Sequence, residues 1–505
     1  MSDKISFGLE FDLGGGEQSA EIQPDSPFHI LLLGDFSGRE NRGIRRSDKS
    51  TFTKIEVDRD NFEEVMERLE VCLDRVMVVE GESPVSLKFE ELEHFEPDFL
   101  FDELTIFSKL RDLRNRLLSS ATFSDAADEV LSWTKHATES SSESTEENTA
   151  EPQSTQEVVD VDNLLDSLLE QPAGGVSMES SRQTEWQRLM ADIVSPHISP
   201  SQDPRQDELV KCVDDAIQAT MIALLHHPSF RQLEANWRAL NLITRNVETD
   251  STLKIFLVDI SKQELSDDLN SSNDLSTTQS YRLIVEQAQS GGVPWSVVAG
   301  SYYFDDSKAD VSMLGRLAKI ADAANTSFAA GVCDGVLGKN EKAPELDVIN
   351  PVGSDAWAIL RALPESESLG LIWPRFLLRL PYGKKTSPIE RFEFEEIPNH
   401  ENRSGLIWGN PVFLLATQLG QAFSRSGWDA TTGVRMEHGN LPVWIYQQDD
   451  EKMAHPCGEY LLTDKNIESL HASGILPLIS LRDSDRITFD GARSIRNSPL
   501  RIFAN

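Results

Sequence analysis

The sequence predicts an α/β fold with mixed, largely parallel sheets and flanking helices, in two ordered regions joined by a disordered linker. Three observations predict it. In residues 205–505, strand-like apolar runs alternate with amphipathic helical stretches, an order typical of parallel sheets. Residues 27–135 hold a second, shorter series of strands and helices. Residues 136–160 between them contain almost no large apolar side chain, so they cannot bury a core.

The first ordered region follows residues 1–26, which we expect to form a flexible arm or an added strand. The region opens with the apolar run FHILLL at 28–33, which Gly34 ends and which predicts a buried strand. Asp60 is predicted to cap a helix, and alternation at 85–89 predicts a strand with one solvent-facing side. The apolar positions of the two predicted helices are Phe62, Val65, Met66 and Leu69, and then Ile106, Leu110, Leu113 and Leu117.

The linker at 136–160 consists mainly of Ser, Thr, Glu, Gln and Asn, and as a flexible coil it reaches about 25 to 30 Å. Residues 161–204 are predicted to form a short helix and a second tether. That helix carries a stripe of four leucines and is marginally stable alone, so it docks either on its own protein or in a groove of another protein. The four leucines are Leu164, Leu165, Leu168 and Leu169.

The second ordered region, residues 205–505, opens with two amphipathic helices separated at Pro228. Strands are predicted at 253–260, 295–300 and 327–332, and the helices between them lie around 281–288 and 311–324. The apolar face of the first helix contains Val210, Val213, Ile217, Met221 and Leu224, and that of the second contains Phe230, Leu233, Trp237 and Leu240.

The charge of the chain argues against several classes of partner. Asp and Glu number 84 against 47 Lys and Arg, which gives a formal net charge of −37. This charge repels phosphate backbones and anionic lipid headgroups, so we expect neither nucleic acid nor a membrane surface as a partner. The sequence has neither a membrane-spanning apolar run nor a signal peptide pattern, which predicts a cytoplasmic protein. If the chain polymerises, its assembly should depend on salt.

No catalytic site, metal site or cofactor site is predicted. The glycines at 14–16 precede no Lys-Ser or Lys-Thr pair, so they indicate a turn rather than a phosphate cradle. His226 and His227 are adjacent and lack partners at metal-ligand spacing, which favours a role at the end of a helix. The scattered cysteines, expected to be reduced thiols, are Cys72, Cys212, Cys333 and Cys457.

Three segments within residues 27–120 resemble, in order, the small sheath subunit of type VI secretion systems: PFHILLLGDFSGRENRG, IEVDRDNFEEVMERL and LKFEELEHFEPDFLFDELTIFSKLRDLRNRL. Residues 209–497 resemble the large sheath subunit of the same systems. The segments that carry this second resemblance are LLHHPSFRQLEANWRAL, LKIFLVDISKQEL, SGGVPWSVVAGSYYF, WPRFLLRLPYG, FEFEE, LIWGNPVFLLA and AFSRSGW, together with residues 474–494.

The resemblance implies a contractile-sheath-like fold and a mechanical, non-enzymatic role in the bacterial cytoplasm. Proteins of this family form a contractile tube of interlocked subunits around an inner tube, and a hexameric unfolding ATPase recycles them. The resemblance also implies that the leucine helix at 164–170 is what this ATPase recognises. A second possibility is an accessory or regulatory protein that binds the apparatus or its ATPase without forming a tube.

Several residues within the matching motifs are expected to be structural. Trp237, Trp373, Trp408 and Trp428 carry large apolar areas and belong in a core or in subunit contacts. Arg238 stands with Trp237 in the helix motif. Arg375 and Arg379 are expected to pair with Glu395 or Glu396, or to bridge protomers.

The sequence departs from the family pattern at three places. Ala239 replaces a glycine of the helix motif, and Ser301 replaces an acidic residue before Tyr302. Large sheath subunits continue into a further domain whose strands interlock with neighbours. Because this sequence ends at Asn505, we expect its second region to lack that extension.

Overall fold

The computed structural model describes residues 26–45, 51–76, 84–119, 122–131, 206–286, 292–337, 354–399, 405–430, 435–448 and 451–502. The predicted linker, the leucine helix and nearly all of the predicted N-terminal arm lie outside these residues. Contacts divide the chain into two compact units. The first comprises Met1–Val76, Val85–Leu100 and Leu225–Asn505, and the second comprises Met77–Pro84 and Phe101–Leu224.

The first ordered region contains, in chain order, β1 (Phe28–Gly34), α1 (Arg39–Arg42), β2 (Ile55–Val57), α2 (Phe62–Leu69), β3 (Cys72–Val76), β4 (Val85–Lys88), α3 (Pro97–Glu103) and α4 (Thr105–Leu118). The second region begins with α5 (Gln206–Leu225), α6 (Pro228–Asn246), β5 (Leu253–Asp259), α7 (Lys262–Asn270), α8 (Gln279–Tyr281), β6 (Val297–Phe304), α9 (Lys308–Ala323) and β7 (Phe328–Val332). It continues with α10 (Asp355–Ala362), β8 (Leu369–Trp373), β9 (Phe376–Leu377), β10 (Trp408–Gly409), α11 (Val412–Ser426), β11 (Met436–His438), β12 (Trp444–Gln448), β13 (Glu451–His455), α12 (Asp464–Ala472), β14 (Leu476–Ser480) and β15 (Ile487–Phe489).

The predicted α/β fold is confirmed, and so is its mixed, largely parallel sheet. Nine strands form one sheet in the order β11-β15-β14-β8-β7-β6-β1-β5-β2. The pairs from β14 through β8, β7, β6 and β1 to β5 are parallel. The strands β2, β15 and β11 add antiparallel pairs at the two ends. Helices cover both faces, as the continuous apolar runs of the central strands require.

The strand β1 lies in the interior of this sheet although it belongs to the first ordered region. All seven of its residues are buried, which is the pattern of a strand covered on both faces. Its neighbours are β5 and β6, and β5 lies in turn between β1 and β2. Gly34 ends the strand, and a Cβ there would lie 2.8 Å from the Phe36 ring, so only glycine fits without a shift. Strands from the two regions therefore alternate in the order β6-β1-β5-β2.

The main core of the first unit lies on one face of the sheet. Leu31, Leu33 and Val258 of the strands pack there against Leu314 and Leu317 of α9. On the other face α11 packs against β1 and α6. The β3–β4 hairpin is linked to α6 through Phe89, Phe95 and Phe230, whose ring centroids are 4.1 to 5.8 Å apart. Burial of these apolar groups is the main stabilising contribution to the unit.

The second unit is helical and brings together chain on both sides of residues 132–205. Arg114 of α4 forms an ion pair with Asp214 of α5, with 2.5 Å between Nε and Oδ1. Gln206 donates to the Leu117 carbonyl oxygen at 2.6 Å. The buried apolar residues of α4 and α5 include Ile106, Phe107, Leu110, Leu113, Leu117, Leu209, Val213 and Ile217. These are largely the positions that the helical periodicity predicted.

One local prediction was wrong. Asp60 does not cap α2, because the Asp58 carboxylate accepts the backbone N–H groups of Asp60 and Asn61 and forms the turn itself. The helix predicted around 281–288 is present as the short α8 followed by a π-helical turn, Arg282–Glu286, and residues 287 and 288 lie outside the described residues. The Asp268 carboxylate accepts the N–H groups of Gln279 and Ser280, the first two residues of α8.

Candidate functional site

The helix α6 carries several buried polar side chains that make long-range contacts in the first unit. Pro228 stands at its first position, where the missing N–H has no cost, and Trp237 lies on its apolar stripe. Glu234 and Asn236 are also buried within this helix. Buried polar groups are costly unless they have partners, so their partners define the site. We call Glu234, Asn236, Trp237 and Arg238, with the groups they bind, the α6 junction.

One side of the α6 junction holds the chain that leaves β1. The Trp237 indole N–H donates to the Phe36 carbonyl oxygen at 2.7 Å, and the Asn236 amide donates to the Asp35 carbonyl oxygen at 2.9 Å. The Asn236 amide oxygen accepts a hydrogen bond from the Ser301 hydroxyl at 2.7 Å. An ionised acidic side chain, which the family pattern has at 301, could not donate this bond. Ser301 therefore suits the contact that this chain makes.

The same segment after β1 is held by the carboxyl end of β5. Asp259 Oδ1 accepts the backbone N–H groups of Phe36 and Ser37 at 2.9 and 3.0 Å, and Oδ2 accepts the Ser37 hydroxyl at 2.8 Å. Arg39 donates to both carboxylate oxygens of Glu264, with Nη2 and Oε1 2.8 Å apart. Because β1 and β5 are parallel, their carboxyl ends meet at one edge, which brings these groups together.

Asp35, which directly follows β1, is a buried carboxyl group with a raised pKa. Its carboxylate oxygens accept the backbone N–H groups of Arg39 and Glu40 at 2.8 and 2.9 Å. Burial raises the pKa of Asp35 to about 6, the backbone hydrogen bond from Glu40 opposes this rise, and the nearby charge of Asp259 adds to it. This carboxyl group therefore titrates close to neutral pH.

The other side of the α6 junction is a buried network of ion pairs. Glu234 accepts hydrogen bonds from Arg238 and Arg379, each at 2.7 Å. Arg379 also donates to Glu396 at 2.7 Å, and its guanidinium lies 4.2 Å from the centroid of the Tyr382 ring. The Arg238 guanidinium reaches the Tyr382 hydroxyl at 3.0 Å. The network thus ties α6 to the segment 379–396.

Burial and the neighbouring charges shift the pKa values of Glu396 and Arg379 in this network. Burial alone would raise the pKa of Glu396, but Arg379 and the backbone N–H of Tyr382 are among the neighbours that together more than offset this, and the pKa falls to about 2. Burial lowers the pKa of Arg379, yet Glu234 and Glu396 together hold it well above its ordinary value. His226 Nε2 lies 3.7 Å from Glu396 Oε1, beyond hydrogen-bond distance. Arg379 and Glu396 therefore both stay ionised at neutral pH.

The structure gives both arginines internal partners. Arg379 pairs with Glu396, one of the two acceptors considered from the sequence. The prediction for Arg375 was wrong, because it donates to Glu459 at 2.8 Å. Glu395 instead accepts the backbone N–H of Lys384 at 3.0 Å. Glu459 lies 84 residues from Arg375, and no spacing in the sequence indicates this pair.

The predicted tryptophans fall into three settings. Trp237 and Trp373 are fully buried, and Trp408 is buried in a small cluster with Trp444. Trp428 is half-buried, and its indole N–H donates to the Ser26 carbonyl oxygen at 2.6 Å. The proposed ATPase-recognition residues Leu164, Leu165, Leu168 and Leu169 lie outside the described residues.

Sequence reasoning missed Asp259, Glu264 and Arg39. One signal was available for Glu264, since Ser261 and Glu264 have the spacing of a capping box. The structure confirms such a box at the start of α7. The second role of Glu264, as the acceptor for Arg39, had no signal in the sequence.

The polar groups of the α6 junction are engaged with backbone groups and with each other, so they hold separate segments of the first unit together. Within the described ranges, no group of three or more His, Cys, Asp or Glu side chains is placed to hold a metal ion. No helix in the same part of the chain is long and apolar enough to cross a bilayer. A small cavity of about 10 Å³ between α9 and α10 has no titratable side chain in its lining, which consists of Val311, Ser312, Gly315, Ala356, Ile359, Leu360 and Leu363.

Comparison with known proteins gives matches in both ordered regions. Residues 207–496 match the family described as EvpB/VC_A0108, tail sheath N-terminal domain. Residues 3–145 match the family described as type VI secretion system, VipA, VC_A0107 or Hcp2. The type VI secretion system sheath protein TssC1 of Pseudomonas aeruginosa is 33% identical over 304 residues, which cover 57% of this chain and 61% of that protein. The chain thus spans less than two thirds of the length of this relative.

Proposed function

Since this chain belongs to the sheath family of type VI secretion systems, we propose that it is a structural subunit of a contractile sheath. One observation carries the proposal. The two regions that match the two sheath families contribute alternating strands, β6-β1-β5-β2, to a single sheet. One chain therefore holds, as one folded unit, elements of both kinds of sheath subunit.

The α6 junction supports a mechanical role. Force on the first region reaches the second through β1, through the Trp237 and Asp259 hydrogen bonds and through the Arg39–Glu264 ion pair. Paired, enclosed charges resist separation, because removing one partner leaves the other buried and uncompensated. This arrangement transmits load and needs no cofactor and no catalytic group.

The partners that follow from this function are other sheath subunits or further copies of this chain, assembled around an inner tube in the bacterial cytoplasm. Self-repulsion from the net charge of −37 makes assembly dependent on salt. Sedimentation of the purified protein across a series of NaCl concentrations tests this. We expect the pelleted fraction to rise with salt, and a protein that stays monomeric throughout, alone or with separately expressed sheath subunits, would contradict the function.

Recycling by a hexameric unfolding ATPase is the second part of the proposal, and the leucine stripe of residues 164–170 is its docking element. Changing Leu165→Asp and Leu168→Asp together should abolish capture of the ATPase in a pull-down. Changing Val158→Asp and Val159→Asp adds the same charge nearby and should leave capture intact. Capture that survives the leucine changes would refute this docking element. A protein that binds sheath subunits and ATPase but never sediments would identify an accessory role instead.

A further inference from the structure

The strand β1 occupies a slot between β5 and β6, two strands that lie more than 200 residues later in the chain. Its seven residues pair one by one with Leu253–Asp259, from Phe28 opposite Leu253 to Gly34 opposite Asp259. On its other side, residues 30–33 pair with residues 297–300 of β6. The chain's own first region thus fills the slot along all of β5 and along residues 297–300 of β6.

Three contacts hold the amino end of β1 in place. Phe28 N–H donates to the Thr252 carbonyl oxygen at 2.6 Å. The Phe28 ring stacks on Phe423 of α11, with centroids 4.9 Å apart. The Trp428 indole N–H donates to the carbonyl oxygen of Ser26 at 2.6 Å, just before the strand. These contacts come from three separate elements of the second region.

The carboxyl end of β1 is fastened by the α6 junction and by the end of β5. Withdrawing the strand would strip Asp259 of three hydrogen-bond donors and Glu264 of its arginine. It would also expose the facing edges of β5 and β6, with their unpaired N–H and C=O groups. Buried acceptors left without donors are strongly destabilising, so the strand is held against exchange.

We propose that β1 occupies, within its own chain, the position that the matching strand of a separate small sheath subunit would take. This chain therefore does not bind such a subunit through that strand. The inference rests on the proposed function for the identity of the excluded partner. It adds that the strand stays in its own chain during assembly, so that each protomer carries its two halves in a fixed ratio.

A disulfide between β1 and β5 tests this in the full chain, with His29→Cys and Lys254→Cys combined. These residues are opposite each other in the register, and neighbouring strands lie about 4.8 Å apart, within the range that a disulfide bridges. Burial, with Lys54 and Lys254 nearby, lowers the pKa of His29 to about 4, so its replacement removes no charge at neutral pH. The single variants, each with the native cysteines, are the controls.

The oxidised double variant is first run on a denaturing, non-reducing gel. We expect a linked monomer with shifted mobility that both single variants lack. Linked dimers or a ladder, beyond those formed by the controls, would show that β1 is supplied by another copy and would overturn the inference. The pelleted fraction is then compared before and after oxidation, and we expect no change. A fraction that falls on oxidation and recovers with reductant would also overturn it, because the strand would then have to leave its slot.

A labelled synthetic peptide of residues 26–45 gives a second readout that needs no variant. We expect no uptake by the folded wild-type chain, and stable uptake would contradict a filled slot. A protein that never sediments, linked or unlinked, counts against the sheath function, whereas the gel still decides where β1 resides. The two failures are thereby distinguished.

Discussion

Trp237 and Phe36 are 201 residues apart in the chain, yet the Trp237 indole N–H donates to the Phe36 carbonyl oxygen at 2.7 Å. Trp237 belongs to the motif that resembles the large sheath subunit, and Phe36 follows the strand that resembles the small one. The bond lies in a fully enclosed setting, where an unmade hydrogen bond is costly. Segments of both regions therefore belong to the same compact unit.

Asp259→Ala should be among the most destabilising single changes where the segment after β1 meets the end of β5. It removes the acceptor of the Phe36 and Ser37 backbone N–H groups and of the Ser37 hydroxyl, so we expect a loss of about 3 kcal/mol in the free energy of unfolding. Urea unfolding followed by tryptophan fluorescence measures it. The exposed Asp267→Ala is the matched control and should change stability by about 0.5 kcal/mol or less. Equal losses in the free energy of unfolding for the two variants would show that the hydrogen bonds to Asp259 do not stabilise the fold.

Arg379→Met tests the buried ion pairs on the other side of α6. The change leaves Glu396 enclosed without its arginine and Glu234 with only Arg238, so we expect a loss of about 3 to 5 kcal/mol. Arg486→Met removes an exposed arginine that pairs with Glu437, and should cost about 0.5 kcal/mol. The same unfolding assay compares them. An Arg379→Met protein as stable as Arg486→Met would contradict the role given to this network.

Asp35 predicts a pH dependence with a definite sign. Its pKa in the folded protein, about 6, is above its ordinary value of 3.8. The folded state therefore holds this proton more tightly, and its stabilising effect is full below the ordinary value and lost as the pH rises through 6. Between pH 5 and pH 7 we expect the free energy of unfolding of the wild type to fall by about 1 kcal/mol relative to that of Asp35→Asn, as measured by urea unfolding at each pH. If the free energy of unfolding changes equally with pH in the two proteins over that range, the prediction is contradicted.

The sequence predicted that β1 is a strand but could not predict its neighbours. The run FHILLL requires cover on both faces, and this follows from its residues alone. Its neighbours β5 and β6 lie more than 200 residues away, and many apolar strands could pair with it equally well by composition. The pairing is decided by end contacts such as Phe36–Asp259, which no spacing in the sequence indicates.

The candidate site was predicted in the same partial way. Trp237, Arg238 and Arg379 were selected from motifs, because large apolar or charged side chains at regular spacing stand out. Asp259 and Glu459 were missed, because a single carboxylate after a strand looks like many others in a chain with 84 acidic residues. The partner of an ion pair depends on tertiary packing, which periodicity does not encode.

Electron microscopy of the purified protein, alone and co-expressed with separate sheath subunits, tests the central claim most directly. A contractile sheath subunit should form tubes of regular diameter, or co-assemble into tubes, at salt concentrations that screen its charge. Particles that remain single protomers under every one of these conditions would contradict the account.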